Sequence, residues 1–259
     1  MNRIRSLFQQ KKSNLLSIYF TAGFPQIDDT LPVLRALQAH GVDMVEIGIP
    51  FSDPVADGPA IQRSNSTALR NGMTQHRLFE QLANVRAEIK MPLVLMGYLN
   101  PLMQYGWECF CGDASRCGID GLIIPDLPLR EYQTHYRAVA QAAKLDVIQL
   151  ITPQTSGERI RQIDEASDGF LYMVSSAATT GAQKGFSQEQ LDYFRRINNM
   201  PLKNPRMIGF GISNAATLKA AHAHAAGAII GSHFISLLTE YRDPERAVTK
   251  LMETIGVPA

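Results

Sequence analysis

The stretch Met44-Val45-Glu46-Ile47-Gly48-Ile49-Pro50, continuing as Phe51-Ser52-Asp53-Pro54-Val55-Ala56-Asp57-Gly58-Pro59, contains one repeating unit of the fold. An apolar run comes first, then a loop stiffened by prolines and a glycine, then Pro59 in position to open a helix. Similar runs recur along the chain at Leu15–Thr21, Leu93–Gly97, Gly121–Ile124, Val147–Ile151, Phe170–Val174, Met207–Phe210 and Ala228–Gly231. Most show no apolar–polar alternation, as expected of parallel strands covered on both faces. Helix-period segments separate them: Thr30–His40, Arg77–Lys90, Glu131–Lys144, Glu158–Ala166, Gln188–Ile197 and Ala215–Ala226. Cap residues precede several of these, among them Asp28-Asp29-Thr30 and Ser213-Asn214. Eight strand–helix units predict an α/β fold, a single (β/α)8 TIM barrel, with an extra N-terminal helix near Arg3–Lys12. A doubly wound open sheet is the other arrangement, but no Gly-x-Gly-x-x-Gly follows the first strand. With no linker or shift of composition, residues 1–259 read as one domain.

The composition excludes several function classes. The 259 residues carry 25 Lys+Arg against 24 Asp+Glu, a net charge of +1, which lacks the basic surplus of a nucleic-acid binder. A hydrophobic content of 45% and a charged content of 19% argue against disorder. Cys109, Cys111 and Cys117 crowd into one segment whose spacing fits neither a disulfide framework nor a common zinc pattern. Free thiols point to a reducing cytoplasm. Lys11-Lys12 followed by Leu15–Phe20 imitates a signal peptide, but Thr21-Ala22-Gly23-Phe24-Pro25 leads into a polar helical pattern, as a first barrel strand would. No run reaches the length of a membrane span.

Barrel active sites lie at the C-terminal ends of the strands. Glu46 sits inside the second strand between Val45 and Ile47, which should face the opposite way. A carboxylate among apolar side chains is costly to bury without a partner, so Glu46 is either a satisfied structural group or a functional one. Desolvation would raise its pKa toward that of a proton shuttle. In the following loop, Asp53 and Asp57 read either as turn and cap residues or as site residues.

Glycine-rich stretches follow the last three strands: Thr179-Thr180-Gly181-Ala182, Gly209-Phe210-Gly211-Ile212-Ser213 and Gly227–Ser232. Backbone N–H groups in the loops after strands seven and eight commonly hold phosphate, and glycine permits that close approach. A small phosphorylated substrate is therefore expected. His222 and His224, two apart on a helix, cannot chelate jointly, and His233 is expected on a helix surface. No lysine falls within a strand, which disfavours Schiff-base chemistry. Glu46 with Asp126 makes too sparse a carboxylate set for magnesium, so no metal is expected.

The run Val45–Pro59, followed by Ile61-Gln62, closely resembles the tryptophan synthase alpha chain family. Phe20-Thr21-Ala22-Gly23, Met96–Pro101, Pro125-Asp126-Leu127-Pro128, Tyr172–Ser175 and Gly209–Ser213 extend the resemblance in order over nearly the whole chain. The resemblance implies cleavage of indole-3-glycerol phosphate to indole and glyceraldehyde 3-phosphate, a retro-aldol reaction without a cofactor in this chain. Glu46 matches the general acid/base, and Asp57 the carboxylate that binds the indole N–H. Phe20, Ile61, Tyr98, Ile123 and Tyr172 match the indole pocket, and Gly181, Gly211, Gly231 and Ser232 the phosphate site. The implied partner is a pyridoxal-phosphate beta subunit in an α₂β₂ heterotetramer, with Asp53 and Pro54 on the interface side.

The sequence departs from the family in two loops. After strand six, Ser175–Lys184 keeps Thr180 and Gly181 but lacks the usual first glycine and nearby arginine. In the first loop, Gly23-Phe24-Pro25 stands where Gly-Asp-Pro is usual. Three other functions remain open on sequence grounds: a self-sufficient indole lyase, a phosphoribosyl isomerase or synthase, and a phosphate-binding scaffold.

Overall fold

A computed structural model describes residues 2–175 and 185–257. Eight strands form a closed parallel barrel in chain order: β1 (Leu15–Thr21), β2 (Met44–Gly48), β3 (Leu93–Met96), β4 (Gly121–Ile123), β5 (Asp146–Ile151), β6 (Leu171–Val174), β7 (Arg206–Gly209) and β8 (Gly227–Ile230). β8 returns to pair with β1, with Leu15 opposite Gly227 and Ile18 opposite Ile230. Each strand falls within a residue or two of its predicted apolar run. The runs lack alternation because one face fills the barrel and the other packs under helices.

The helices agree with the sequence periodicity, with two instructive differences. The predicted helix Arg77–Lys90 is instead Gln75–Leu82, capped by the Thr74 side chain, followed by a 3₁₀ turn at Val85–Ala87. The predicted Glu131–Lys144 segment starts at Leu129, just past Pro128, and widens into a π-helical turn at Tyr132–Tyr136. The Trp107 indole N–H donates to the Tyr136 carbonyl at 3.1 Å, in keeping with carbonyls that a widened turn leaves short of intrahelical partners. Two helices follow β3, split at Gly106, where φ is +91°.

The helix Arg3–Gln10 plugs the N-terminal end of the barrel. Its Ile4 and Phe8 join Leu15, Met44, Val94, Ile123, Ile148, Phe170, Met207 and Ile229 in the interior cluster. Ionic contacts fasten the plug to the strand starts. Arg3 pairs with Asp120 at 3.1 Å, Arg5 with Asp146 at 2.6 Å and Asp168 at 3.2 Å, and Lys11 with Asp43 at 2.7 Å. Arg86 reinforces Asp120 at 2.5 Å while donating to the carbonyls of Gly118, Ile89 and Met91. With one end closed in this way, the open rim of the barrel is the C-terminal one.

Candidate active site

Glu46 lies opposite Tyr19 of β1 and Val94 of β3 in the strand register. Side chains alternate along a strand, so Glu46 and Tyr19 share the interior face while Phe20 pairs with Ile47 on the outer one. Glu46 is fully buried, and its Oε1 accepts a hydrogen bond from Ser17 Oγ at 3.0 Å. Its Oε2 has no hydrogen-bond partner among the described residues. Burial pushes its pKa up to about 8, against the opposing pull of the Ser17 hydrogen bond.

Asp57 is brought to the same rim by the loop after β2. Its backbone N–H donates to the Pro54 carbonyl at 3.0 Å, and its carbonyl accepts from Gln62 Nε2 at 2.9 Å. The carboxylate accepts from Tyr98 Oη at 2.9 Å, and that hydroxyl accepts in turn from the Ala56 N–H at 3.0 Å. The alternative reading of Asp57 as a helix cap fails, because Gly58 is the N-cap of helix Pro59–Arg70 and no side chain caps it. Asp57 is 6% exposed; burial raises its pKa to about 6, and the Tyr98 bond opposes the rise. Around neutrality Glu46 therefore keeps its proton while Asp57 is an anion. Environments that split two carboxyl groups in this way assign one as acid and the other as charge stabiliser.

Two tyrosines join the pair. Tyr19 and Tyr172 are buried, and desolvation together with the charges of Asp57 and Glu46 raises both phenols, so they stay neutral. Glycines make room for the rings. A Cβ at Gly48 would overlap the Tyr19 hydroxyl, and one at Gly209 the Tyr172 hydroxyl. Ile123 lies in the interior cluster with Tyr172. Ile61 reaches the rim from helix Pro59–Arg70, its Cδ1 3.7 Å from where a Gly231 Cβ would stand. Phe20 pairs with Ile47, whose side chain faces away from Glu46, so β1 offers Tyr19, rather than Phe20, to the interior. Sequence reasoning missed Ser17 and Tyr19. The apolar run Leu15–Thr21 carries no sequence signal for which of its residues face inward.

Of the expected phosphate residues, Gly211 lies after β7 and Gly231 and Ser232 after β8. Gly211 follows β7 with φ +75°, a conformation that favours glycine. Gly231 is the N-cap of helix Ser232–Tyr241, whose exposed first residue is Ser232. Ser213, 7% exposed, leaves its Oγ without a hydrogen-bond partner among the described residues, beside the N-terminus of helix Ala215–His224. Gly181 lies outside the described residues, as does the loop 176–184 around it. His233 is only half-buried, with its ring pKa lowered by desolvation, rather than lying on the helix surface.

On the loop that carries Asp57, Asp53 is exposed, whereas Pro54 is buried against its own chain. Val55, 83% exposed, presents the apolar surface there, and Met103, 55% exposed, does so after β3. Asp126 is exposed, and its carboxylate accepts the Leu99 N–H at 2.9 Å, opening helix Leu99–Tyr105. Cys109 is exposed, Cys111 and Cys117 are buried, and all three are free thiols. No described helix is long and apolar enough to cross a membrane.

A closed barrel that buries two carboxyl groups at its C-terminal rim, with burial raising the pKa of each to a different degree, is the architecture of a (β/α)8-barrel enzyme working by acid–base chemistry. The sequence model of the family described as "Tryptophan synthase alpha chain" matches residues 5–257. A tryptophan synthase alpha chain of Bacteroides thetaiotaomicron is 58% identical over 255 residues, covering 98% of this chain and all of that relative. One from Flavobacterium johnsoniae is 55% identical over 240 residues, 93% of this chain and 94% of the relative. Among solved structures, Mycobacterium tuberculosis tryptophan synthase superposes with a TM-score of 0.88 at 30% identity, covering 99% of each chain. The alpha chain of Legionella pneumophila gives 0.86 at 33% identity, covering 98% of this chain and 96% of that one. The chain belongs to the tryptophan synthase alpha chain family. Its activity is the family's lyase reaction, cleavage of indole-3-glycerol phosphate, with indole passed to a beta subunit.

Proposed function

We propose that Glu46 and Asp57 carry out this cleavage as a general acid/base and an anionic stabiliser. The observation that carries the reading is two buried carboxyl groups at the C-terminal end of the barrel, Glu46 held by the Ser17 hydroxyl and Asp57 by the Tyr98 hydroxyl. Neutral Glu46 gives its proton to C3 of the indole ring, forming a C–H bond and leaving positive charge on the ring nitrogen. Asp57 accepts the indole N–H and offsets that charge in a site where water cannot screen it. The Glu46 carboxylate then takes the proton of the glycerol hydroxyl next to the ring. The O–H electrons become the aldehyde C=O, and the carbon–carbon bonding pair returns to the ring and restores its aromaticity. Glu46 ends protonated, ready for the next turnover. Tyr19, Ile61, Tyr98, Ile123 and Tyr172 enclose the indole, and Gly181, Gly211, Gly231 and Ser232 hold the phosphate.

No cofactor enters these steps. Pyridoxal phosphate belongs to the beta subunit, which joins indole to serine within a cytoplasmic α₂β₂ assembly. Asp53, Val55 and Met103 form the chain's side of that contact, an exposed charge beside two exposed apolar side chains. Residues 1–259 act as one domain.

The test is indole release by Glu46→Gln and Asp57→Asn with the substrate's phosphate affinity measured in parallel. Loss of a general acid lowers kcat by about 10²–10⁴-fold, and loss of an anionic stabiliser by about 10²–10³-fold. Binding of indole-3-glycerol phosphate should persist in both. Unchanged turnover in either variant removes that residue from the mechanism.

A further inference from the structure

We propose that Ser17 is a positioning residue for the reaction: its hydroxyl keeps Glu46 Oε1 as an acceptor, so the transferable proton resides on Oε2. The proposal rests on the assignment of Glu46 as the acid/base. Both side chains are fully buried, and their contact of 3.0 Å links adjacent strands on the interior face. Among the described residues, this is the only hydrogen bond that the Ser17 side chain makes. If Glu46 donated through Oε1 instead, the serine proton would be left buried without an acceptor, a costly arrangement. Serine as donor satisfies its own proton, occupies Oε1, and leaves Oε2 as the oxygen with no partner among the described residues.

The assignment has chemical consequences. A carboxyl group free to carry its proton on either oxygen presents the reacting geometry only part of the time, and positioning of the transferring atom matters to rate. The hydrogen bond also holds the Glu46 pKa below the level that burial alone would set. Glu46 can then give up its proton in the first step and still recover one in the second. Few other groups complicate its titration. Facing it are Tyr19 from β1 and Tyr172 from β6, both phenols raised and neutral, and the apolar Val94 from β3, while Asp57 from the rim loop acts on the same two tyrosines.

The experiment compares Ser17→Ala, Ser17→Thr and the unaltered chain, each full length and saturated with a tryptophan synthase beta subunit. Two readouts are taken: the pH dependence of indole release from indole-3-glycerol phosphate, and the carboxyl carbon resonance of ¹³C-labelled Glu46 during titration. Glu46→Gln identifies that resonance. Ser17→Ala should move the Glu46 titration and the alkaline limb of kcat/KM upward together. It should lower kcat about tenfold and leave KM within about twofold. Ser17→Thr, which keeps the hydroxyl, should restore both readouts. A Glu46 titration unmoved in Ser17→Ala overturns the proposal. A titration that moves while kcat and the alkaline limb stay put overturns the acid/base assignment of Glu46, and the positioning role with it.

Discussion

Replacing Tyr98 with Phe removes the hydroxyl that donates to the Asp57 carboxylate at 2.9 Å and leaves the surrounding burial unchanged. Asp57 already sits near pKa 6 because it is buried, and the Tyr98 bond is what opposes the rise. A hydrogen bond to a charged group contributes about 1.5 kcal/mol, so its loss raises Asp57 by roughly one further unit. The mechanism needs Asp57 ionised, so the acid limb of kcat/KM should move from about 6 toward 7, while the alkaline limb set by Glu46 near 8 stays in place. With these values, the loss of ionised Asp57 relative to the unaltered chain is slight at pH 8 and grows to about fivefold at pH 6. The Ala56 N–H also loses its acceptor, which adds a pH-independent loss by loosening the loop. The assay is initial-rate indole release from pH 5.5 to 9 at low substrate. A ratio of variant to unaltered chain that stays flat across this range would refute the reasoning, because Tyr98 would then not be setting the charge state of a catalytic Asp57.

Other perturbations test the same physics elsewhere. Burial raises Glu46 from 4.5 to about 8, so it binds a proton more tightly in the folded chain, and stability is lost as pH rises through that window. Glu46→Gln should therefore be more stable than the unaltered chain at pH 8 by about 3–5 kcal/mol, with the gain vanishing near pH 4.5, as read from urea midpoints. Gly48→Ala drives a methyl into the Tyr19 ring, 2.6 Å from Cζ, and should cost about 1–3 kcal/mol along with a fall in kcat/KM. Arg86→Ala leaves Asp120, 3% exposed, with Arg3 as its remaining ion-pair partner and takes the donor from several carbonyls at the closed end of the barrel. It should cost about 1–3 kcal/mol in urea unfolding yet leave the pH profile of the surviving fold unchanged.

The barrel was legible in the sequence because each strand is buried on both faces, which produces unbroken apolar runs bounded by loops. The helices were less so. Nothing in the periodicity of Glu131–Lys144 marks the π turn at Tyr132–Tyr136, which depends on packing and on the Trp107 contact. At the site, Glu46 stood out because a carboxylate among apolar residues demands an explanation, and Asp57 because it lies on the adjoining loop. Ser17 and Tyr19 were hidden inside Leu15–Thr21, a strand whose composition does not reveal which residues face inward. That choice is fixed by pairing with β2, a long-range relation that also turns Phe20 toward the helices. Similarly, the loop after β2 announces its rigidity through its prolines, but only its folded path buries Pro54 and exposes Val55.

The most direct test of the account is indole release from indole-3-glycerol phosphate by the purified chain, alone and with a tryptophan synthase beta subunit, between pH 5.5 and 9. The account predicts cleavage with a bell-shaped kcat/KM whose limbs lie near 6 and 8, and a marked increase when the beta subunit is added. Rapid release that the beta subunit does not alter would contradict the partnered role, and no release under any condition would contradict the chemistry assigned to Glu46 and Asp57.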